Sequence, residues 1–149
     1  MQPTNLFIFL SALRATTALA LPQKRAQPGP GPWYINNYNP GCGTSPAGCE
    51  YSFNVSYAPA YGSLEPALCT SCLGSNIQGG YKPCVDTSVS FNEVCRFQVP
   101  GFMNDTLFLQ HVYTADGATY TVTGNVTVTD FERVGQSFVV VPSVITAIA

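Results

Sequence analysis

A strict alternation of apolar and polar side chains over residues 51–57 is the feature that most constrains how this chain folds. Aromatic and branched residues occupy the odd positions and Ser or Asn the even ones, which is the period of a strand with one buried face. Similar alternation recurs over residues 85–91, 107–113 and 120–128. Residues 115–118 contain Asp-Gly and predict a tight hairpin between the last two strands.

Helical patterns are nearly absent. Only residues 63–68 have room for a helical turn, and Pro66 limits it. Several short strands with turn signals about every ten residues predict an all-β fold, a small disulfide-stapled antiparallel β-barrel or sandwich. The tail over residues 138–145 is rich in Val and Ile, and Pro142 confines it to an edge or a bend. We favour a terminal strand over a lipid-anchor signal, because the polar spacer of such a signal is missing.

The N-terminal residues predict export. An apolar run ends in Ala18-Leu-Ala20, which is typical of a secretory signal peptide over residues 1–20, and the run is too short to span a bilayer. Lys24-Arg25 has the pattern of a dibasic processing site, which predicts a short propeptide over residues 21–25 and a mature chain that begins at Ala26. The protein is therefore expected to be secreted and extracellular.

The mature chain divides into two parts by composition. Residues 26–48 are rich in Pro, Gly and Asn and predict an extended arm with little regular structure. Residues 49–149 carry the strand pattern and form the predicted β-barrel domain.

Charge excludes one class of partner. Charged residues make up 9% of the chain, against about 25% in an average globular protein. Without residues 1–25, three basic residues remain against eight acidic ones, a net charge of −5. Such a surface is unsuited to the phosphate backbone of nucleic acids.

The chain has six cysteines, and an even number in an exported chain predicts disulfides. Turn-forming residues separate Cys42 from Cys49 and favour a local bridge between them. Cys69-Thr-Ser-Cys72 also has the spacing of a zinc half-site or a redox pair. The chain has one His and no second CxxC motif, so we favour disulfides. Sequence alone leaves the other pairings open, and the full set is Cys42, Cys49, Cys69, Cys72, Cys84 and Cys95.

Three Asn-X-Ser/Thr sequons begin at Asn54, Asn104 and Asn125. Asn54 and Asn125 fall on the polar phase of their strands, and Asn104 falls in an expected turn over residues 101–105. All three are expected to face solvent, as an N-linked glycan requires. The alternative is that they are ordinary polar strand residues.

Catalytic signals are weak. His111 lies on a predicted strand face without a recognisable nucleophile motif, and a structural role is favoured over a catalytic one. The acid pairs Glu50 with Glu65 and Asp86 with Glu93 are the candidates for a glycosidase, but their spacing is not specific. We predict a protein that is not an enzyme and has neither a cofactor nor a metal site.

The order of several stretches resembles one known family. Five features follow one another in the sequence: residues 51–55, an aromatic residue shortly before Cys84, and residues 88–91, 107–110 and 118–124. In this order the chain resembles the secreted fungal β-barrel proteins of the major Alternaria allergen type. That family includes elicitors of the plant hypersensitive response. The family's cysteine pair near the C-terminus has no counterpart here.

The resemblance implies a pairing and a function. Cys69 to Cys84 resembles the family's first disulfide; with that bridge, Cys72 is expected to pair with Cys95, alongside Cys42 with Cys49. The implied function is that of a secreted, non-enzymatic effector or elicitor that binds a host extracellular protein or a small apolar ligand and allows a homodimer. The alternatives are a glycosylated cell-wall or surface structural protein and, third, a secreted hydrolase.

Loops carry specificity in barrels of this kind. We therefore expect contacts through the loops over residues 57–68 and 76–83. Tyr61 and Tyr81 are their candidate aromatic anchors.

Overall fold

The computed structural model describes residues 29–42, 48–77, 79–98, 102–129 and 134–149. The predicted signal peptide and propeptide lie outside these residues. The described part of the chain contains no helix, and so none long and apolar enough to cross a bilayer. Its strands are β1 Trp33–Cys42, β2 Cys49–Tyr57, β3 Leu68–Ser75, β4 Lys82–Pro83, β5 Val89–Gln98, β6 Phe102–Ala115, β7 Ala118–Val128, β8 Gln136–Val140 and β9 Pro142–Ile148.

The strands form two antiparallel sheets. One has the order β3-β2-β1-β8 and the other the order β4-β5-β6-β7-β9. The prediction of an all-β fold is confirmed, and of the two predicted architectures the sheets form the sandwich. A closed barrel, which the family resemblance implied for residues 49–149, is wrong, because the sheets do not join into one continuous cylinder.

The strand predictions hold where alternation is regular. β2 buries its odd-numbered side chains from Tyr51 to Tyr57. The predicted strands over residues 107–113 and 120–128 lie within β6 and β7, which pair as a hairpin. Asp116 and Gly117 both have positive φ, 49° and 77°, as a two-residue hairpin turn requires. The predicted strand over residues 85–91 is wrong in its first half, because Val85 is 83% exposed and β5 begins only at Val89.

The predicted irregular arm over residues 26–48 is wrong for residues 33–42, which form β1. β1 lies inside the four-stranded sheet, between β2 and β8, and Trp33, Ile35 and Tyr38 are buried. Asn37 has a positive φ of 54°, and the register with both neighbouring strands shifts there. This bulge turns Tyr38, rather than Asn37, into the core.

The core between the sheets is aromatic. Phe53 of β2 meets Phe91 of β5 edge to face at 5.0 Å between ring centroids, which joins the two sheets directly. Tyr38 meets Phe138 of β8 in the same geometry at 5.2 Å. Edge-to-face aromatic pairs at such distances stabilise the fold by more than the burial of their apolar area alone.

The C-terminal segment crosses from one sheet to the other. β8 pairs with β1 and β9 pairs with β7, so the chain changes sheets at Val141. A Cβ atom on Gly124 would lie 2.9 Å from the Val140 side chain and 3.1 Å from the Pro142 backbone. The crossing therefore needs glycine at that position. Pro142 opens β9, the last strand of its sheet, so the prediction that Pro142 confines this tail to an edge or a bend is confirmed.

A disulfide joins the sheets at the opposite edge, and it differs from the predicted pairing. Cys72 of β3 is bonded to Cys84, just after β4, and Cys69 is free and exposed. The predicted bridges Cys69–Cys84 and Cys72–Cys95 are therefore wrong. Cys69 and Cys72 have opposite strand parity, and only Cys72 faces the core.

Cys49 is also disulfide-bonded. The backbone of Cys42 stands opposite it in the β1–β2 register. The side chains of Cys42 and Cys95 lie outside the described residues, so the bridge between Cys42 and Cys49 stays a prediction.

We expect the Cys72–Cys84 disulfide to contribute about 3 kcal/mol to the free energy of unfolding, because it closes a short loop in the unfolded chain. The double variant Cys72→Ala/Cys84→Ala should lose that amount in urea denaturation. Cys69→Ser is the matched control and should unfold like the wild type. A Cys69–Cys84 peptide in a non-reducing digest would contradict the assignment.

Candidate functional site

The loop between β2 and β3, residues 58–67, is held to the core by one buried carboxylate. Glu65 is 2% exposed, and its Oε1 accepts a hydrogen bond from Trp33 Nε1 at 3.1 Å. The same oxygen lies 2.8 Å from His111 Nδ1. Trp33 belongs to β1 and His111 to β6, so this carboxylate links both sheets to the loop.

Further hydrogen bonds fix the loop's path. Ser63 N–H donates to the carbonyl of Ala60 at 3.0 Å, and Glu65 N–H donates to Ser63 Oγ at 3.2 Å. The hydroxyls of Tyr57 and Ser63 are 3.3 Å apart. We call residues 58–67 with these contacts the anchored loop.

Tyr61 is fully exposed in a turn of the anchored loop. Tyr81 is partly exposed in the connection between β3 and β4. These connections lie at opposite ends of β3, because one precedes Leu68 and the other follows Ser75. The structure exposes both predicted anchors but does not bring them into one site.

His111 is buried at 2% exposure beneath the anchored loop. Its ring also packs against that of Tyr113 at 5.2 Å between centroids. In this conformation a substrate has no access to the ring, and its hydrogen bond to Glu65 serves to position the loop.

A second buried acidic cluster lies deeper in the sandwich. Tyr38 Oη donates to Asp105 Oδ2 at 2.7 Å, and Glu93 lies in the core on the neighbouring strand β5. Neither oxygen of Glu93 makes a hydrogen bond within the described part of the chain. An unpaired buried carboxylate is costly, so neutralisation is the expected response.

Burial and the nearby Asp105 raise the pKa of Glu93 to about 10, and the Tyr38 hydroxyl and the Lys82 ammonium offset only part of this rise. Burial also raises the pKa of Asp105. Burial together with the charges of Glu93 and Asp105 raises the pKa of Tyr38. Glu93 is therefore a neutral acid at neutral pH. Such a group resembles a general acid in type, but it is enclosed in the core.

The acid pairs proposed from sequence are not brought together. Glu50 is the second residue of β2, opposite Ser75, whereas Glu65 lies beyond the other end of that strand. Asp86 is exposed, and its hydrogen bonds with Ser88 lower its pKa, whereas Glu93 is in the core. Among the residues the structure describes, no cluster of three or more His, Cys, Asp or Glu side chains is placed to hold a metal ion.

An open surface groove of about 440 Å³ follows β3. Free Cys69 and the sequon residue Asn54 lie on its wall beside Val85 and Asp86. Asn54 Oδ1 accepts a hydrogen bond from Ser71 Oγ at 2.7 Å. The groove is wide and open to solvent, and its accessible lining is more apolar than polar.

The asparagines of all three sequons reach solvent, but their exposure differs. Asn125 is exposed on β7, whereas Asn54 and Asn104 are half-buried. Asn104 lies within β6, opposite Arg96, so its predicted position in a turn is wrong. Glycosylation itself stays a prediction.

Sequence reasoning missed the acidic cluster and the hydrogen bond from Trp33. A usable signal was present, because Glu93 shares the strand parity of Val89 and Phe91. Asp105 likewise shares the parity of Leu107 and Leu109. A polar residue on the apolar phase of a strand predicts a buried polar group that needs a partner.

No family model matches this chain, and no curated protein or solved structure matches it either.

We expect Glu65→Ala to release the anchored loop, because it removes the acceptor shared by Trp33 and His111. Loss of a buried polar partner of this kind costs about 3 kcal/mol. Limited proteolysis should cut within residues 58–67 in the variant faster than in the wild type. Glu65→Gln keeps an acceptor oxygen and should stay closer to the wild type. Equal cleavage in all three proteins would contradict the role of Glu65.

We expect the free energy of unfolding to fall as pH rises above about 4.5, the ordinary value for Glu93. The unfolded chain releases this proton near that pH, but the folded protein holds it up to about 10, so folding is favoured on the acid side. The slope from this group is at most about 1.4 kcal/mol per pH unit. Asp105 contributes in the same direction.

Urea denaturation from pH 5 to pH 9 tests this. Glu93→Gln should flatten the decline, and Glu50→Gln, which alters an exposed acid on β2, should leave it unchanged. Wild type and Glu93→Gln curves that run parallel would refute a protonated Glu93.

Proposed function

We propose that this chain is a secreted, non-enzymatic binding protein that elicits plant defence by contacting a host extracellular protein. The observation that carries the proposal is the anchored loop, which presents a fully exposed Tyr61 on a backbone tied to the core. Exposed tyrosines on rigid loops are frequent anchors of protein interfaces.

Rigidity matters for affinity. A loop that is already ordered loses little conformational entropy on binding. Glu65, Ser63 and Tyr57 hold the loop without involving Tyr61, so the ring is free to enter a partner's pocket. The disulfides support the extracellular part of the proposal, because such bonds persist in oxidising compartments.

A host protein is favoured over a small apolar ligand as the partner. The groove beside β3 is open to solvent. A small apolar ligand binds best in a concave pocket that removes most of its surface from water, and this groove does not enclose one. A flat aromatic contact through the anchored loop needs no enclosed cavity.

A glycosylated cell-wall or surface protein is the second candidate. Asn125, exposed on the outer face of β7, favours it. A mature chain found free in culture filtrate favours the elicitor, whereas a chain released only by wall digestion favours the wall protein. An endoglycosidase that lowers its mass would establish the glycan in either case.

Infiltration of the purified protein into plant leaves tests the elicitor function. We expect a defence response at micromolar dose, and Tyr61→Ala should raise the half-maximal dose at least about tenfold, equivalent to about 1.4 kcal/mol of binding. Tyr81→Ala is tested separately because it lies at the other end of β3. Tyr34→Ala, which removes a half-exposed ring from the face of β1, is the matched control.

A reduced and alkylated sample tests the need for the fold. Loss of the response in that sample is expected. If the wild type gives no response, or if the alkylated sample is equally active, the proposal of an elicitor that acts through its folded structure is wrong and the wall protein becomes the leading candidate.

A further inference from the structure

The edges of the two sheets are protected unequally. The β3 edge is covered by residues 84–86, since Val85 N–H donates to the Ser71 carbonyl at 2.9 Å and Asp86 N–H to Thr70 Oγ1 at 2.8 Å. β4 is only Lys82–Pro83, and a charge with a proline is a common protection of an edge. β8 has five residues and leads directly into the crossing to the other sheet.

β9 is protected less, because its proline, Pro142, is confined to its first residue and it carries no charge. It is a seven-residue strand at the end of the five-stranded sheet, and in the described part of the chain only β7 pairs with it. Every residue after Pro142 is exposed. No charged residue occurs from Val134 to Ala149. A long, uncharged, β-branched edge of this kind readily accepts another strand.

The uncharged side chains of β9 favour a second copy of this chain as the source of the added strand. Antiparallel self-pairing about a two-fold axis places each residue opposite a residue of the same strand. With no charge on β9, self-pairing meets no like-charge contact, although the mature chain as a whole is acidic. The same lack of charge gives an anionic or cationic partner nothing to recognise here.

We infer that two copies of this chain associate through antiparallel pairing of β9 with β9, centred on Ile145. This register pairs the strand over Ser143–Ala147, with Val144 opposite Thr146 and Ile145 opposite its symmetry mate. The two five-stranded sheets then form one continuous sheet across the dimer.

The exposure of the Ile145 side chain supports a two-fold axis centred on this residue. Ile145 lies beside fully buried Val122 in the β7–β9 register, yet it is 41% exposed. A partner's Ile145 at the spacing of directly opposite strand residues would cover it. Val144 and Ile148, which lie on the other face, would be covered in the same way. The inference does not depend on the elicitor function.

Sedimentation velocity of the full chain secreted from yeast tests the pairing. All proteins carry Cys69→Ser, and a non-reducing gel of each confirms that no intermolecular disulfide through another cysteine contributes. We expect a reversible dimer, and Val144→Lys should raise its dissociation constant at least about tenfold, because charge on an edge strand opposes pairing. Val85→Lys, the same change at the covered edge, should leave the dimer unchanged.

Cross-linking gives a second measurement that does not rely on a disruptive variant. Ile145→Cys should form a covalent dimer with glutathione disulfide, as two thiols lose two protons and two electrons and two glutathione molecules form. Val85→Cys is the matched control and should form that dimer much more slowly. Circular dichroism identifies a Val144→Lys protein that has not folded, in which case cross-linking decides.

Three results would overturn the inference. The first is a Cys69→Ser protein that stays monomeric at sub-millimolar concentration. The second is a dimer that Val144→Lys leaves intact in a folded protein. The third is cross-linking at Ile145→Cys no faster than at Val85→Cys. A monomer whose leaf response is lost only with Val144→Lys would place a different protein on β9.

Discussion

β1 donates two hydrogen bonds to buried carboxyl groups, and the interior of the sandwich is arranged around them. Trp33 donates to Glu65 near one end of the strand, and Tyr38 donates to Asp105 further along. The first bond fixes the anchored loop and the second reaches the opposite sheet. Because buried polar groups are costly when unpaired, these bonds also fix the position of β1 between β2 and β8.

The position of β1 was not predictable from alternation. Its Pro, Gly and Asn content is that of an extended arm, and the bulge at Asn37 breaks the two-residue period between Ile35 and Tyr38. A strand that changes parity halfway gives no continuous apolar face in sequence. β2, β6 and β7 were predictable because each keeps one parity and the Asp116-Gly117 turn sets the register of the last two.

Parity also explains the disulfide. Residues three apart on a strand face opposite sides, so Cys69 and Cys72 do not both point inward. Buried Cys84 therefore requires Cys72, which faces the core. The family resemblance selected the other cysteine. Strand parity alone would have selected the correct one, once residues 68–75 were assigned as a strand.

The candidate site was only partly predictable. Tyr61 was identified from its loop, but the contacts that hold that loop come from Trp33 and His111, which are 32 and 46 residues from Glu65 in sequence. Such contacts depend on how the sheets pack, which local patterns do not specify. Packing places the loop's supports in the core and its aromatic ring in solvent. The residues that fix the loop are thus distinct from the residue offered to a partner, so the exposed position is free to change without loss of the fold.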